Sequence, residues 1–322
     1  MKALSLLSGG LDSILATRLI LDQGIEVIGV GFSSPFYTSS RGQRAAAGLE
    51  IPFYSRDLTE GMIAILNNPV YGYGKHLNPC TDCHRLMVAT AAGLLDELGA
   101  SFIFTGEVLG QRPKSQTRDA LNAVAKGVGR GLLLRPLSAL LFPETIPERE
   151  GWVDRSRLLG IFGRSRKIQF DLAEKYGLSG YASPGGGCLL TEKVFCRKLE
   201  ELKEHEGWEA DELNLLRVGR HFRLSPGVRA VSGRNQEENE NLEELAREGD
   251  YLFQAAERPG SLVLLRKRGP VTDRDRELAA AICLRYSKEK DPTRLEIVYR
   301  EAGRDGATII AALPEDISSL MI

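Results

Sequence analysis

The six residues that decide the fold are Ser8-Gly9-Gly10-Leu11-Asp12-Ser13, referred to below as the glycine turn. They follow the apolar run Leu4–Leu7 and open a helical stretch that extends to Asp22. Gly9 and Gly10 have no Cβ, so the backbone can turn sharply and approach a ligand closely. Free N–H groups and the dipole at the start of the helix favour an anion there. A strand, this turn and a helix, in that order, therefore predict a phosphate site.

The acidic residue of the glycine turn narrows the kind of phosphate site. Asp12 would repel a phosphate unless a divalent cation lay between them, so its presence favours Mg²⁺. The hydroxyls of Ser8 and Ser13 add hydrogen-bond donors. The turn lacks the lysine of the Walker A pattern, which excludes a P-loop that cleaves the γ-phosphate.

Short apolar runs alternate with helical segments through the first half of the chain. This alternation predicts βαβ units, and so an α/β domain with a doubly wound parallel sheet. The segment from Pro143 to Trp152 is rich in Pro, Gly and charged residues and predicts a loop, and the helical pattern returns at Ile168–Tyr176. The predicted strands are Leu4–Leu7, Ile25–Phe32, Ile51–Tyr54, Phe102–Thr105 and Leu132–Leu134.

The rest of the chain predicts a smaller α+β domain. We place the boundary near Glu206–Asp211, which gives domains of residues 1–208 and 209–322. A chain of 322 residues is long enough for two domains of about 150 residues, each with its own core. The predicted strands are Val228–Ser232, Tyr251–Gln254, Ser261–Leu265, Leu295–Arg300 and Thr308–Ala311, and the predicted helices are Glu237–Arg247 and Glu277–Tyr286.

Composition excludes several classes of protein. The near balance of 42 Lys and Arg against 43 Asp and Glu excludes a protein that coats a polyanion with its whole surface. No stretch approaches the ~20 apolar residues of a membrane helix, and the N-terminal apolar run is shorter than that of a signal peptide. Five cysteines, two of them in a C-x-x-C pair, fit a reducing compartment, and Cys196 and Cys283 lie in apolar helical stretches typical of a core. We therefore expect a cytoplasmic protein with no membrane partner.

Three cysteines are the second chemical signal. Cys80 and Cys83 form the C-x-x-C pair near the start of a helix, where we expect stabilised thiolates, and Cys188 ends the glycine-rich loop Ser183–Cys188. Three thiolates can hold a 4Fe–4S cluster and leave one iron open for a sulfide or a substrate. Two alternatives remain open. One is a structural zinc with His84 as the fourth ligand, and the other is persulfide chemistry in which one cysteine carries the sulfur and another resolves it.

The glycine turn resembles the PP-loop of the ATP pyrophosphatase superfamily, written S-G-G-x-D-S. With the three cysteines and the segment Thr105–Arg112, it makes residues 1–200 similar to the tRNA thiouridine synthetases of that superfamily. The resemblance implies that ATP adenylates a uridine carbonyl oxygen and that sulfur then displaces AMP. It implies Asp12, Cys80, Cys83 and Cys188 as catalytic residues, with the three cysteines as ligands of an iron–sulfur cluster. The ATP-binding residues that it implies are Ser8, Gly9, Gly10, Asp12, Ser13, Phe32, Thr105, Gly106 and Gln111.

The resemblance leaves several points open. It specifies neither the target uridine nor the sulfur donor, which could be a cysteine desulfurase, free sulfide or a carrier, and it leaves a homodimer open. Two other functions also remain: another adenylating enzyme such as an amidating ligase, and a non-catalytic RNA-binding factor. The three cysteines favour thiolation over amidation, because nitrogen transfer needs no set of thiols.

Basic residues cluster between the glycine turn and Cys188. From Arg112 to Lys167 the chain holds twelve Lys and Arg against five Asp and Glu, although its net charge is −1. This clustering indicates a surface for the RNA backbone, and the alternative is a solvated helix face. The residues that we predict to bind RNA are Arg112, Lys114, Arg164, Arg166, Lys167, Arg220 and Arg234.

Residues 217–320 resemble the RNA-binding domain of the NFACT family. The segments that carry the resemblance are Gly233-Arg234-Asn235, Asn239-Glu240 and Pro259-Gly260-Ser261, in that order. The resemblance implies RNA binding by this part of the chain, with tRNA as the partner.

Overall fold

A computed structural model describes residues 1–129, 131–181, 187–256, 259–287, 295–302, 306–311 and 317–322. They form two compact units, Met1–Glu192 and Lys193–Ile322. Residues 183–186 of the predicted glycine-rich loop lie outside the described residues. Within the described part of the chain, no helix has the length and apolar character that a membrane crossing requires.

The first unit is built on one five-stranded parallel sheet. Its strands are β1 (Lys2–Leu6), β2 (Glu26–Ser33), β3 (Phe53–Asp57), β4 (Phe102–Thr105) and β5 (Leu133–Leu134). Their order is β3-β2-β1-β4-β5, and every pairing is parallel. From the central strand β1 the chain forms β2 and β3 on one side of the sheet and then crosses to form β4 and β5 on the other side. This is the arrangement of a doubly wound sheet. The predicted α/β fold is confirmed.

Helices connect the strands of this unit. They are α1 (Leu11–Leu21), α2 (Ser40–Gly48), α3 (Thr59–Asn67), α4 (Cys80–Gly93), α5 (Leu95–Leu98), α6 (Arg118–Ala125), α7 (Ile146–Arg149) and α8 (Lys167–Lys175). Helix α1 is largely enclosed: Leu15 and Ile20 are fully buried, in one core cluster with Phe102 and Phe104 of β4. This core fixes the start of α1 against the ends of the central strands.

The second unit is an antiparallel sheet with helices. The strands are β6 (Arg220–Ser225), β7 (Val228–Ser232), β8 (Tyr251–Ala255), β9 (Val263–Lys267), β10 (Leu295–Glu301) and β11 (Gly306–Ala311), in the order β11-β10-β8-β9-β7-β6. The helices are α9 (Lys193–His205), α10 (Ala210–Leu216), α11 (Gln236–Glu244) and α12 (Asp273–Arg285). Ala279, Ile282 and Cys283 of α12 are fully buried, in one cluster with Phe222 and Phe253 of the sheet. Cys283, like Cys196 of α9, is a core residue as predicted.

Four buried charged residues lie beside this core. Arg229 and Arg266 from the sheet pair with Glu212 and Asp250, and each of the four side chains is at most 2% exposed. Arg266 lies 2.8 Å from Asp250 and 3.3 Å from Glu212, and Arg229 also binds Glu212. Two positive and two negative groups balance one another, which is what allows such charges to be buried. We call these four residues the ionic cluster.

Some boundaries differ from the predictions. The units divide at Glu192/Lys193, ahead of the expected 208/209, because Phe195, Leu199 and Leu202 of α9 are buried and Trp208 donates to the Leu199 carbonyl at 2.8 Å. The expected loop at 143–152 contains the short helix α7, which Thr145 and Glu148 cap reciprocally. Strand β6 and helix α10 were not predicted.

Candidate active site

The sheet register brings two loops together at its carboxyl edge. Leu6, the last residue of β1, pairs with Thr105, the last residue of β4, and with Val30 of β2 on the other side. The glycine turn follows Leu6 after one residue, and the segment Gly106–Gln111 follows Thr105 directly. Both loops therefore leave the sheet at the point where the strand order reverses, the usual place for a ligand in an open α/β sheet.

Two glycines allow the backbones to meet there. Gly9 has φ +76°, and a Cβ on it would lie 2.4 Å from the carbonyl oxygen of Arg41 in α2. A Cβ on Gly106 would lie 2.5 Å from the backbone carbon of Asp12 and the backbone nitrogen of Ser13. Neither position has room for a side chain, so α2 and the loop after β4 both pack directly against the glycine turn.

Hydrogen bonds inside the glycine turn leave its helix start uncapped. The Ser13 hydroxyl donates to the Gly10 carbonyl at 2.8 Å, and the Ser8 hydroxyl donates to Ser13 Oγ at 3.2 Å. The N-cap of α1 is Gly10, which has no side chain to accept from the first N–H groups. Such N–H groups at a helix start can bind an anion, so the structure fits the predicted phosphate site.

Asp12 is held by residues from two later segments. Gln111 donates to one carboxylate oxygen at 2.7 Å, and Arg166 donates to the other at 3.2 Å. Gln169, fully buried at the start of α8, donates to Gln111 at 2.8 Å. Nε and Nη1 of Arg166 are buried and have no hydrogen-bond partner among the described residues. Asp12 would hold Mg²⁺ from this position, and Arg166 has donors left for phosphate oxygens.

A buried carboxylate, Glu107, connects the loop after β4 to α4. It accepts hydrogen bonds from Arg135 at 3.0 Å and Thr105 at 3.1 Å, and its other oxygen lies 3.1 Å from Nδ1 of His84. Burial alone would raise the pKa of Glu107, but Arg135 and His84 outweigh it and lower the pKa from 4.5 to about 2. Glu107 is therefore ionised at any pH where the protein works, and it orients the residue that follows Cys83.

The C-x-x-C pair lies on the first turn of α4. Cys80 begins the helix and accepts a hydrogen bond from Asn78 at 3.2 Å, and the Cys83 thiol donates to the Tyr37 hydroxyl at 3.8 Å. Burial raises the pKa of Cys83 to about 12, and the electrostatic interaction with nearby Cys188 adds to the rise. The stabilised thiolate expected for Cys83 from its place at a helix start is therefore wrong, because burial is the larger effect.

The third cysteine reaches the same place from the far end of the unit. Leu189 donates its backbone N–H to the Phe36 carbonyl at 2.9 Å, which fixes Cys188 beside the segment that carries Tyr37. Cys188 lies near enough to raise the pKa values of both Cys83 and Tyr37. On its other side, a Cβ on Gly187 would lie 3.4 Å from the guanidinium of Arg41. Cys83 and Cys188 thus both lie beside the segment that carries Tyr37, and Arg41 of the same region approaches both Gly187 and Gly9.

The fit of a metal to these thiols is partial. Cysteine thiolates are the usual ligands of an iron–sulfur cluster, but Cys83, whose thiol proton is donated to Tyr37 in a hydrogen bond, would have to lose that proton to become one. Across the described ranges, however, no group of three or more His, Cys, Asp or Glu side chains has metal-binding geometry. Nδ1 of His84, the proposed fourth zinc ligand, is engaged by Glu107. A cluster would therefore require the thiols to draw closer together.

The predicted RNA-binding residues fall into two groups. Arg112, Lys114, Arg164 and Lys167 are exposed, as a surface for RNA requires. Arg166 is only 13% exposed and paired with Asp12, so it lies against the glycine turn and not on the open surface. In the second unit, Arg234 is exposed and pairs with Glu238 at 2.7 Å, and Arg220 stacks on Tyr286 at 4.5 Å. Of the predicted ATP-binding residues, Phe32 is buried at 6% exposure near the end of β2.

Sequence reasoning missed three residues of this site. Arg135 was counted with the basic surface, but it is 7% exposed and bound to Glu107; its place directly after the buried strand β5 was the signal. Tyr37 and Arg41 were not singled out, and nothing in their local sequence distinguishes them. They are brought to the thiols and the glycine turn by the segment between β2 and β3.

Comparisons with known proteins divide the chain in the same way. Residues 1–141 match the family model described as thiamine biosynthesis protein (ThiI), and residues 219–319 match the NFACT protein RNA binding domain. The first segment is thus similar to ThiI proteins and the second to NFACT RNA-binding domains.

Similar curated proteins are probable tRNA sulfurtransferases. The chain is 32% identical to that of Ureaplasma parvum over 145 residues, covering 43% of this chain and 37% of the relative. It is 30% identical to the probable tRNA sulfurtransferase of Bacillus pumilus over 173 residues, which cover 51% of this chain and 40% of the relative. The chain spans about two fifths of the length of these relatives. Among solved structures, a 4-thiouridine synthetase–RNA complex with bound ATP aligns at 27% identity over 42% of this chain and 36% of that one, with a TM-score of 0.36.

Proposed function

We propose that this chain catalyses the ATP-dependent thiolation of a uridine in tRNA. The observation that carries the proposal is that one segment, residues 36–41, approaches the glycine turn on one side and Cys83 and the start of the Cys188 segment on the other. Arg41 links them, because its carbonyl lies against Gly9 and its guanidinium against Gly187, the residue before Cys188. The similarity of the first unit to tRNA sulfurtransferases and of the second to an RNA-binding domain supports the choice of substrate.

The first step of the proposed reaction is adenylation. The ATP phosphates bind the N–H groups at the start of α1, and Asp12 would hold a Mg²⁺ that offsets their negative charge. The uridine carbonyl oxygen attacks the α-phosphorus and pyrophosphate leaves. This step is needed because a uracil carbonyl oxygen is amide-like and cannot leave by itself, whereas the same oxygen joined to AMP can.

The second step replaces that oxygen with sulfur. A sulfur nucleophile attacks the activated carbon, the carbon–oxygen bond breaks, and AMP leaves with the oxygen. In the persulfide form, one of Cys80 and Cys188 carries the terminal sulfur and another cysteine releases the product, leaving a disulfide that an external thiol reduces. In the cluster form, Cys80, Cys83 and Cys188 would hold a 4Fe–4S cluster, which would supply the sulfur at the level of sulfide. Glu107 takes no part in proton transfer because its pKa is about 2.

RNA binding is assigned to both units. In the first, the exposed residues Arg112, Lys114, Arg164 and Lys167 flank the loops of the site and would contact phosphates. In the second, the similarity to an RNA-binding domain supports a contact to tRNA through residues such as Arg220 and Arg234. A reaction that needs tRNA and free thiols takes place in the cytoplasm, which is where we place the protein.

The test is a turnover assay on anaerobically purified protein. Unmodified tRNA from a strain lacking this gene is incubated with α-labelled ATP and either sulfide or a cysteine desulfurase with cysteine. We expect tRNA-dependent formation of AMP and a thiolated nucleoside in the digested tRNA by mass spectrometry. Iron and sulfide analysis of the same protein separates the cluster form from the persulfide form.

Matched cysteine variants complete the test. Cys188→Ala should abolish the thionucleoside while leaving ATP binding intact, and Cys196→Ala, which changes a buried core thiol, should retain thiolation. Formation of AMP without any thionucleoside under every sulfur donor would favour a different adenylating reaction. An absence of AMP formation alongside tRNA binding would favour a non-catalytic RNA-binding factor.

A further inference from the structure

Two phenylalanines are displayed on the surface next to the candidate active site. Phe162 is 68% exposed and Phe170 is 47% exposed, whereas Phe102 and Phe104 of the same unit are fully buried. Single exposed apolar residues are common on protein surfaces and need no explanation. These two, which we call the aromatic patch, differ because both lie against residues of the nucleotide site.

Phe162 is fixed over the loop that carries Gln111. Its neighbours are anchored on both sides: Ile161 donates to the Leu137 carbonyl and Gly163 donates to the Leu109 carbonyl, each at 2.8 Å. Gly110 has φ +78°, and a Cβ there would lie 3.0 Å from the Phe162 ring. The ring therefore stands over Gly110 on a hydrogen-bonded backbone, one residue from the glutamine that binds Asp12.

Phe170 is linked to the same carboxylate through Arg166. The guanidinium carbon of Arg166 lies 5.6 Å from the centre of the Phe170 ring, while its Nη2 lies 3.2 Å from Asp12. Between the two phenylalanines the chain presents Arg164 and Lys167, both exposed. The segment thus carries two exposed positive charges between two exposed rings, beside the proposed phosphate site.

We infer that the aromatic patch stacks unpaired bases of the RNA substrate and so holds the target uridine open at the nucleotide site. This inference rests on the proposed function. A base whose carbonyl oxygen must reach an α-phosphorus cannot remain in a stacked helix, and splayed-out bases are commonly held on aromatic side chains. Arg164 and Lys167 supply the contacts to the flanking phosphates, which position the strand without reading its sequence.

The experiment measures the affinity of the full chain for unmodified tRNA and for a fully paired RNA duplex of similar length. Phe162→Ala and Phe170→Ala should each weaken tRNA binding about 5- to 30-fold, the lower part of the range for loss of one stacked base. Binding of the paired duplex should not change, because it presents no unstacked base. Phe162→Trp should bind tRNA with about the wild-type affinity. Phe162→Leu, whose side chain is apolar but has no flat face, should bind tRNA as weakly as Phe162→Ala.

Salt dependence separates stacking from charge. The alanine variants of the aromatic patch should keep the wild-type slope of log affinity against log salt, whereas Arg164→Ala and Lys167→Ala should each flatten it. The matched control is Leu140→Ala, which removes an apolar side chain that is 48% exposed and should bind tRNA as the wild type does. Thiolation and tRNA-dependent AMP formation by the patch variants should both show a raised KM for tRNA.

Three results would overturn the inference. The first is that both alanine variants bind tRNA with the affinity of the wild type. If the wild type still thiolates tRNA, this result leaves the proposed function intact. The second is an equal loss of affinity for tRNA and for the paired duplex. The third is a defect that appears with a cysteine desulfurase but not with sulfide, which would assign the patch to a protein partner. Failure of the wild type to bind or thiolate tRNA would remove the proposed function and the inference together.

Discussion

The buried ion pair between Glu107 and Arg135 should make a large, pH-dependent contribution to the stability of the first unit. Its side chains are 9% and 7% exposed, and the pKa of Glu107 falls from 4.5 to about 2 on folding. Each pKa unit is worth about 1.4 kcal/mol, so the folded state gains about 3 kcal/mol from this carboxylate at neutral pH. Glu107→Gln removes this gain and leaves the Arg135 charge buried without its partner.

The direction of the pH dependence follows from the lowered pKa. Between pH 4.5 and about 2 the unfolded chain binds a proton at this position and the folded chain does not. The contribution is therefore complete above about pH 5, falls to about 1.5 kcal/mol at pH 3, and is lost below pH 2. The stability difference between the wild type and Glu107→Gln should shrink over that range as the pH is lowered.

The assay is urea unfolding of both proteins at several pH values, followed by a signal from the first unit. The matched control is Glu97→Gln, which breaks an exposed ion pair with Arg56. The charged atoms of this pair lie 2.9 Å apart, and the side chains of Glu97 and Arg56 are 49% and 37% exposed. An exposed pair of this kind contributes about 1 kcal/mol at most. If Glu107→Gln is no more destabilising than Glu97→Gln, and its effect does not vary with pH, the assignment of Glu107 as a buried ionised anchor is wrong.

Three further predictions concern other parts of the molecule. Gly106→Ala should lower the free energy of unfolding by about 1–3 kcal/mol and raise the KM for ATP, because the added Cβ would displace the start of α1. Its control is Gly93→Ala in helix α4, where an added Cβ meets nothing within 4 Å, and this variant should unfold no earlier than the wild type in a thermal scan. Asp12→Asn should leave the chain folded, with a lower melting temperature because Arg166 loses its carboxylate partner, and should stop the release of labelled AMP. AMP release at the wild-type rate would place the Mg²⁺ elsewhere. Glu212→Gln should destabilise the second unit by about 3–5 kcal/mol in urea, since it leaves Arg229 and Arg266 underpaired, and a change below about 1 kcal/mol would contradict that account.

The fold of the first unit was predictable because its signals are local. Strand β4 was predicted with its bounds, and β1, β2 and α1 within two residues or so, since each is a short apolar run bounded by glycine or charge. Helix α7 was missed because its capping depends on Thr145 and Glu148 within a segment rich in Pro, Gly and charge. Strand β6 was missed because its inward residues include His221, a polar residue that is fully buried and bonded to the Val218 carbonyl at 2.8 Å.

The candidate site was only partly predictable because its contacts are distant in sequence. The glycine turn and the three cysteines carry recognisable spacing, so they were found. The position of Arg166 depends on how α8 packs on α1, and its run of basic neighbours indicated an RNA surface instead. The roles of Arg135 and Glu107 follow from the register of β4 and β5, which no single segment of the sequence specifies.

The ionic cluster of the second unit constrains how this domain can diverge. Replacing any one of Arg229, Arg266, Glu212 or Asp250 removes at least one ion pair from a buried partner, whereas exchanging matched members for apolar side chains of similar volume can leave stability unchanged. Substitutions at these four positions should therefore occur in concert across a set of homologues, with intermediates rare. For the same reason, a more stable domain could be engineered by replacing the charged residues of the ionic cluster with apolar ones all at once and not one at a time.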